Sequence, residues 1–353
     1  METTKPIPNN GSGRGGRWRL RNLVRNLLDL GRDGGGRRQA EAQLAEVQGK
    51  YRELLAACAE TGLLPRSELV ARHFPLWADW MFHRIVNARP PLPREFDEEV
   101  AFLRQVGKAV VFPYASLRPE LPVTAAVDDA TGLPFVLHKG HKLYFPKEWS
   151  PRKAASAYRR YIEVENILGG GHARKAPHQY QSDGFRVQAG DAVVDAGSAE
   201  GLFALDVADL ARRVYLVESG PEWAAPLQAT FAPFGDQAVL VRKTVAATGG
   251  DDRLRLVSLL EQDPAPSWFI KMDIEGDEVA VLEDLVPRLP AGVAVRFACA
   301  VYHRQQGAEQ VQALFARHGF RTEYSDGYML YLYDPDLQYP YFRRGVVRAC
   351  RGA

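Results

Sequence analysis

The chain is poor in the residues that mark several protein classes. Of 353 residues only three are cysteine, Cys58, Cys299 and Cys350. An odd number at no metal-like spacing argues against a disulfide framework and against a structural zinc site. No uninterrupted apolar run approaches the ~18–20 residues that a membrane span needs. The opening METTKPIPNNGSGRGGRWRL lacks the apolar core of a secretory signal. Together these absences predict a cytoplasmic protein. Charge of one sign is scarce too, since 45 Lys and Arg face 43 Asp and Glu, a net of +2.

That balance hides an asymmetry. Residues 1–40 carry nine Lys and Arg against three acids, a net of +6, which leaves −4 on the other 313 residues. Glycine clusters in this stretch disfavour regular structure, so residues 1–36 read as a basic, disordered arm. Within it, Leu20, Leu23, Val24, Leu27 and Leu28 follow the spacing of one helical face. Residues 14–38 therefore fit either a solvated tail or a short amphipathic helix on an anionic surface or a partner. One tryptophan offers too little aromatic interleaving for nucleic-acid binding.

A chain of this length suggests about two domains. Residues 37–150 read as an extension of helices and a β-hairpin. It comprises a helix over 37–59, a second helix capped by Ser67 and kinked near Pro75, a third from about Glu95, and strands around 123–127 and 133–145. Lys139-Gly140 is the tight turn, and Ser150-Pro151 is a helix start. From about residue 186, the runs AVVDA, VYLVE, AVLVRKTVA, WFIKMD and VAVRFACAVYH alternate with segments of helical period. That pattern predicts a parallel α/β sheet covered on both faces. FRTEYS and GYMLYLYD, joined by Asp326-Gly327, predict an antiparallel edge hairpin, and residues 334–353 a C-terminal tail.

Four segments carry chemistry. In DAVVDAGSAEGLFAL a buried strand ends at Asp195, and Gly197 and Gly201 bracket a loop containing Ser198 and Glu200. The order D-x-G-x-x-x-G is not the pyrophosphate fingerprint G-x-G-x-x-G, and two acids there would repel phosphates. A cationic ligand suits the loop, and S-adenosylmethionine fits, although strand-D-x-G loops also occur as plain turns. Glu218 ends the next strand, where an acid can accept bonds from ribose hydroxyls. Lys271, Asp273 and Glu275 alternate along a strand tip, an arrangement costly to cluster without a purpose. His303 follows the next strand at the same sheet edge, and imidazole is the side chain most easily poised as a base near neutral pH.

Together AGDAVVDAGSAEGLFAL, VYLVESGPEW, IKMDIEGDEVAVLEDL and VYHR resemble the FkbM-like S-adenosylmethionine-dependent methyltransferases, over roughly residues 160–333. The most specific element is K-x-D-x-E-G at Lys271, Asp273, Glu275 and Gly276, and the stretch Ala176 to Phe185 looks like the segment before the first strand. The resemblance implies a Rossmann-like seven-stranded sheet with an antiparallel last strand, and a methyltransferase domain over 151–333. It implies that Asp195, Gly197 and Gly201 hold the methionine end of the cofactor and Glu218 the ribose; Ser198 and Glu200, on the same loop, are further cofactor-binding candidates, although an acid at 200 is usual only in part of the family. Lys271, Asp273 and Glu275 would lie beside the cofactor sulfur and the acceptor. Hydroxyls on sugars, glycans or small molecules are the implied acceptors, with His303, Asp273 and Lys271 catalytic. Residues 37–150 fit no relative.

A divalent ion on Asp273, Glu275 and His303 is the weaker option, because no further ligand is visible. Two other readings remain open: a nucleotide-binding dehydrogenase, and a non-catalytic module that binds a partner.

Overall fold

Apolar runs with no polar alternation become interior strands, because both faces of a parallel sheet are covered. The computed structural model describes residues 65–115, 122–169, 175–290 and 292–352, together with Gly49. The basic arm with its 14–38 surface contact and most of the expected helix over 37–59 lie outside the described residues. The chain forms two compact units, Met1–Leu76 and Trp77–Ala353. In the first, helix α1 spans Arg66–Arg72, and its N-cap is Pro65 where Ser67 was expected.

The second unit is built on a seven-stranded sheet. Its strands are β4 (Ala192–Ala196), β5 (Arg213–Val217), β6 (Ala238–Val241), β9 (Ser267–Met272), β10 (Ala294–Ala300), β11 (Arg321–Tyr324) and β12 (Val346–Arg351). Their order is β11-β12-β10-β9-β4-β5-β6. The five strands from β10 to β6 are parallel. β12 runs antiparallel to both β10 and β11. This is the α/β, Rossmann-like sheet with a reversed last strand. A small pair, β7 (Thr244–Val245) and β8 (Arg253–Leu254), lies outside it.

The last strand is not the one its hairpin signal suggested. Gly327 does turn, with φ +94°, but GYMLYLYD leaves the sheet, and Met329, Leu330 and Leu332 are buried in a loop excursion. β12 comes instead from residues 334–353, expected to be a tail. It inserts between β10 and β11, so the reversed strand is interior. Val346 and Val347 are β-formers and, with the small Ala349, tolerate full burial, whereas the tyrosines of GYMLYLYD need polar partners for their hydroxyls.

Alternation along the strands sorts residues into two cores. One face collects Val194, Ala196, Ile270, Met272, Phe297 and Cys299 under the helices α7 (Leu256–Gln262), α8 (Glu278–Leu285) and α9 (Gly307–Arg317). The other collects Val193, Leu216, Phe269 and Ala298 under α4 (Pro151–Arg159), α5 (Leu202–Val207) and α6 (Pro221–Phe231). Ser150 caps α4 as expected, its Oγ accepting the Lys153 N–H. A three-stranded sheet, β1 (Ala125–Val127), β2 (Pro134–His138) and β3 (His141–Tyr144), joins the second core through Val136, Leu143 and Phe145. Lys139 and Gly140 both take positive φ, as a two-residue turn of this hand requires. His138 pins the hairpin, with ring nitrogens 2.9 Å from Tyr158 Oη and 2.9 Å from Asp206 Oδ1. The expected extension is thus continuous with the sheet from the hairpin onward. Helices α2 (Phe74–Val86) and α3 (Asp97–Val106) precede it. No helix among the described residues is long and apolar enough to cross a membrane.

One buried ion pair ties the strand starts together. Asp191, just before β4, accepts from Arg296 of β10 at 2.6 Å and from Ser267 of β9 at 2.5 Å. Removing one partner of a buried pair leaves the other charge uncompensated, at ~3–5 kcal/mol. Asp191→Ala should therefore lose about that much in urea unfolding. A loss below ~1 kcal/mol would show that the pair is dispensable.

Candidate functional site

Strand order reverses between β4 and β9, where successive connections leave to opposite sides. Ligands of open α/β sheets bind at the carboxyl ends of the strands beside such a switch point. Asp195, Glu218, Lys271, Asp273 and His303 all stand at that edge, on or just beyond β4, β5, β9 and β10.

The loop after β4 is shaped by close approach. Gly197 has φ +73°, and a Cβ there would lie 1.8 Å from the Asp273 carbonyl oxygen. Gly201 has φ +80°, and a Cβ there would meet Leu227 and Phe231 of α6 at 2.8 and 2.9 Å. Lys271 fastens the loop: its Nζ is 2.8 Å from Asp195 Oδ1 and donates to the Gly197 carbonyl at 2.7 Å. Burial lowers the ammonium pKa, but Asp195 and Asp273 outweigh it, and the net shift is upward. Burial pushes the Asp195 carboxyl up, opposed in part by Lys271. Asp195 Oδ2 and Ser198 Oγ are buried with no hydrogen-bond partner among the described residues. Glu218 braces the loop from β5, accepting the N–H of Ala199 at 2.9 Å and of Gly220 at 2.6 Å. Glu200 is buried, and desolvation pushes its carboxyl up to about 7.

Asp273 is the hub of the site. It accepts from Tyr180 Oη at 2.7 Å and from Tyr302 Oη at 3.1 Å, with His178 Nε2 at 3.4 Å. Burial would raise its pKa, but His178, Lys271 and His303 hold it well below the carboxylate range. His178 lies between Asp273 and Glu165, with Nδ1 3.6 Å from Glu165 Oε2. Burial opposes its charge, yet the two carboxylates raise it to about 9. His303 Nε2 is 3.3 Å from Asp273 and 3.6 Å from Glu275, and Nδ1 is 3.0 Å from Glu278. Burial lowers the His303 pKa, but Glu278 and Asp273 reverse the direction and raise it. A charged imidazole donates hydrogen bonds, so general-base work requires its proton to leave first.

The structure thus gathers Asp195, Gly197, Ser198, Glu200, Gly201, Glu218, Lys271, Asp273 and His303 at one edge. Glu275 flanks this edge from the solvent side: its side chain is 83% exposed, on a backbone with φ +60°, with Oε2 3.6 Å from His303. Sequence reasoning missed His178, Tyr180, Tyr302, Glu165 and Glu278. The stretch from Ala176 to Phe185 signalled the first two only as a segment, because nothing in spacing says which of its polar residues turns toward Asp273. Glu278 looked like an ordinary first-turn acid of α8.

No family model and no curated protein matches this chain. Among solved structures it is similar to a precorrin-6y C5,15-methyltransferase from Geobacter metallireducens, at 15% identity over 48% of this chain and 83% of that one, with TM-score 0.33. A second is an rRNA methylase from Streptococcus thermophilus, at 15% identity over 46% and 87%, TM-score 0.31. A third is Trm5b from Pyrococcus abyssi, at 14% identity over 65% and 62%, TM-score 0.33. The FkbM-like resemblance rests on the motifs alone.

Two glycines separate backbone strain from crowding. Gly132, in the turn between β1 and β2, has φ +68° with nothing within 4 Å of an added Cβ, whereas the Gly197 Cβ would collide with Asp273. Gly132→Ala should cost the ~1–2 kcal/mol of a left-handed non-glycine residue, and Gly197→Ala clearly more. Equal losses in denaturant unfolding would show that the loop gives way without penalty.

Proposed function

We propose that this chain is an S-adenosylmethionine-dependent methyltransferase acting on a hydroxyl of a sugar, glycan or small molecule. The observation that carries the reading is the pair of buried acceptors without partners, Asp195 Oδ2 and Ser198 Oγ, on the loop at the switch point. Buried polar atoms are as a rule satisfied, and these two, together at the switch point, fit a ligand that donates. The charge balance points the same way. Asp195, Asp273, Glu165, Glu275 and Glu278 outnumber Lys271, His178 and His303, which favours a cation and disfavours a pyrophosphate.

Asp195, Ser198, Glu200 and the Gly197–Gly201 backbone would hold the amino-acid end of the cofactor. Glu218, already fixed by two loop amides, keeps lone pairs for ribose hydroxyls. When bound, the cofactor would supply a sulfonium-activated methyl group to an acceptor oxygen, the S–CH3 bond breaking to release the neutral thioether. The protein's share is orientation and proton handling. Lys271 holds the loop, Asp273 is locked by two tyrosines, and the Asp273–His303 pair would take the acceptor proton once the imidazole has given up its own. Orientation contributes ~7–11 kcal/mol, more than the ~10²–10⁴-fold of a base.

Calorimetry with adenosylmethionine tests this. Asp195→Ala should abolish binding, and unchanged affinity would sink the reading. Transfer of a labelled methyl group to cell extracts then separates an enzyme from a binding module. A pH series adds a second check. Glu200, facing Asp195, Glu165 and Lys271, is protonated below about 7 and ionised above it. Binding of a cation favours the ionised form, so affinity should rise with pH through that value, by at most ~tenfold per unit for one proton. Glu200→Gln should flatten the rise.

A further inference from the structure

We infer that Asp273, Glu278 and His303 form a divalent-cation site, with Glu275 as an additional ligand from the solvent side. Each of the first three offers one ligand atom, and these atoms lie within 4.8 Å of one another. Three carboxylates converge on one imidazole, at 3.0, 3.3 and 3.6 Å. A single proton on that ring offsets one of those charges, whereas a divalent ion offsets two.

The second observation is the state of the ring itself. The His303 side chain is only 4% exposed, yet neither ring nitrogen makes a well-aligned hydrogen bond among the described residues. The carboxylates are close without being aligned for donation. His138, equally buried, engages both of its nitrogens at 2.9 Å. His178 leaves only Nδ1 without a partner, whereas His303 leaves both nitrogens, an arrangement that suits a cation standing among the groups.

The rest of the cluster is pre-organised. Glu278 Oε1 accepts the N–H of Ile274 at 3.1 Å and of Gly276 at 3.2 Å, which fixes the carboxylate before any ion arrives. Asp273 is held by Tyr180 and Tyr302. Glu275 reaches the cluster from the solvent side, its Oε2 3.6 Å from His303 Nε2, and Tyr331 Oη lies 3.4 Å from the same oxygen. Hard oxygens with one imidazole select Mn²⁺ or Mg²⁺ over thiophilic metals. The inference goes beyond the methyl-transfer reading and does not rest on it. An ion here would occupy the imidazole that the reading places near the acceptor proton, so metal ligand and proton acceptor are alternative roles for His303.

The test uses the full-length chain without adenosylmethionine and with Mn²⁺ alone. Titration followed by the paramagnetic signal of free Mn²⁺ should show one saturable site, and bound Mn²⁺ should show coupling to a ring nitrogen. His303→Gln should weaken binding by about tenfold or more and erase the nitrogen coupling. Glu278→Gln, checked for folding by circular dichroism, should weaken it as well. No saturable binding below millimolar Mn²⁺ would overturn the site, as would equal affinity in wild type and His303→Gln. Adenosylmethionine affinity, measured separately, stands or falls without reference to either outcome.

Discussion

The site depends on one buried ammonium. Lys271, on β9, bridges the Asp195 carboxylate and the Gly197 carbonyl of the neighbouring strand and loop. An isolated charge at that depth would cost several kcal/mol, so the pair is held together by the penalty of separating it. Its consequences run outward. With the Gly197 carbonyl fixed, the loop places the Ala199 N–H on Glu218, which couples β5 to the same tip. The approach of Gly197 to the Asp273 backbone then leaves no room for a side chain. Three strand ends are thus set by one contact and two glycines.

Around that clamp the electrostatics is organised in alternating layers. Lys271 is followed by Asp273, Asp273 by His178 and His303, and those rings by Glu165, Glu275 and Glu278. Each layer stabilises the charge of the one before it, which is why Asp273 stays ionised and His178 is raised despite deep burial. The two tyrosine hydroxyls on Asp273 remain protonated, since burial pushes both far up. They can donate to the hub at any physiological pH, and so its orientation does not drift with the charge of the rings.

The hairpin and α4 complete the second face of the sheet. Without Val136, Leu143, Phe145 and Tyr158, the residues Val193, Leu216 and Phe269 would lose part of their cover. His138 joins this layer to α5, the helix that the Gly197–Gly201 loop leads into. The hairpin that precedes α4 is therefore part of the structure that supports the loop.

Much of this could be read along the chain. Five largely apolar runs specify the parallel strands, and alternation within the hairpin and the Lys139-Gly140 turn specify an antiparallel ribbon. Glycines at 197 and 201 announce a tight loop, because only glycine takes positive φ without strain. These are local properties, fixed by neighbours in sequence, and they placed Asp195, Glu218, Lys271, Asp273 and His303 at one edge. The tertiary structure alone decided that β12, from an unpromising C-terminal segment, fills the gap between β10 and β11. It also decided that His178 and Tyr180, more than ninety residues upstream, close over Asp273, and that Glu278 rather than Glu275 is the acid buried beside His303. Such choices depend on which distant side chains share a buried space and must satisfy one another there, and no periodicity in the sequence carries that information.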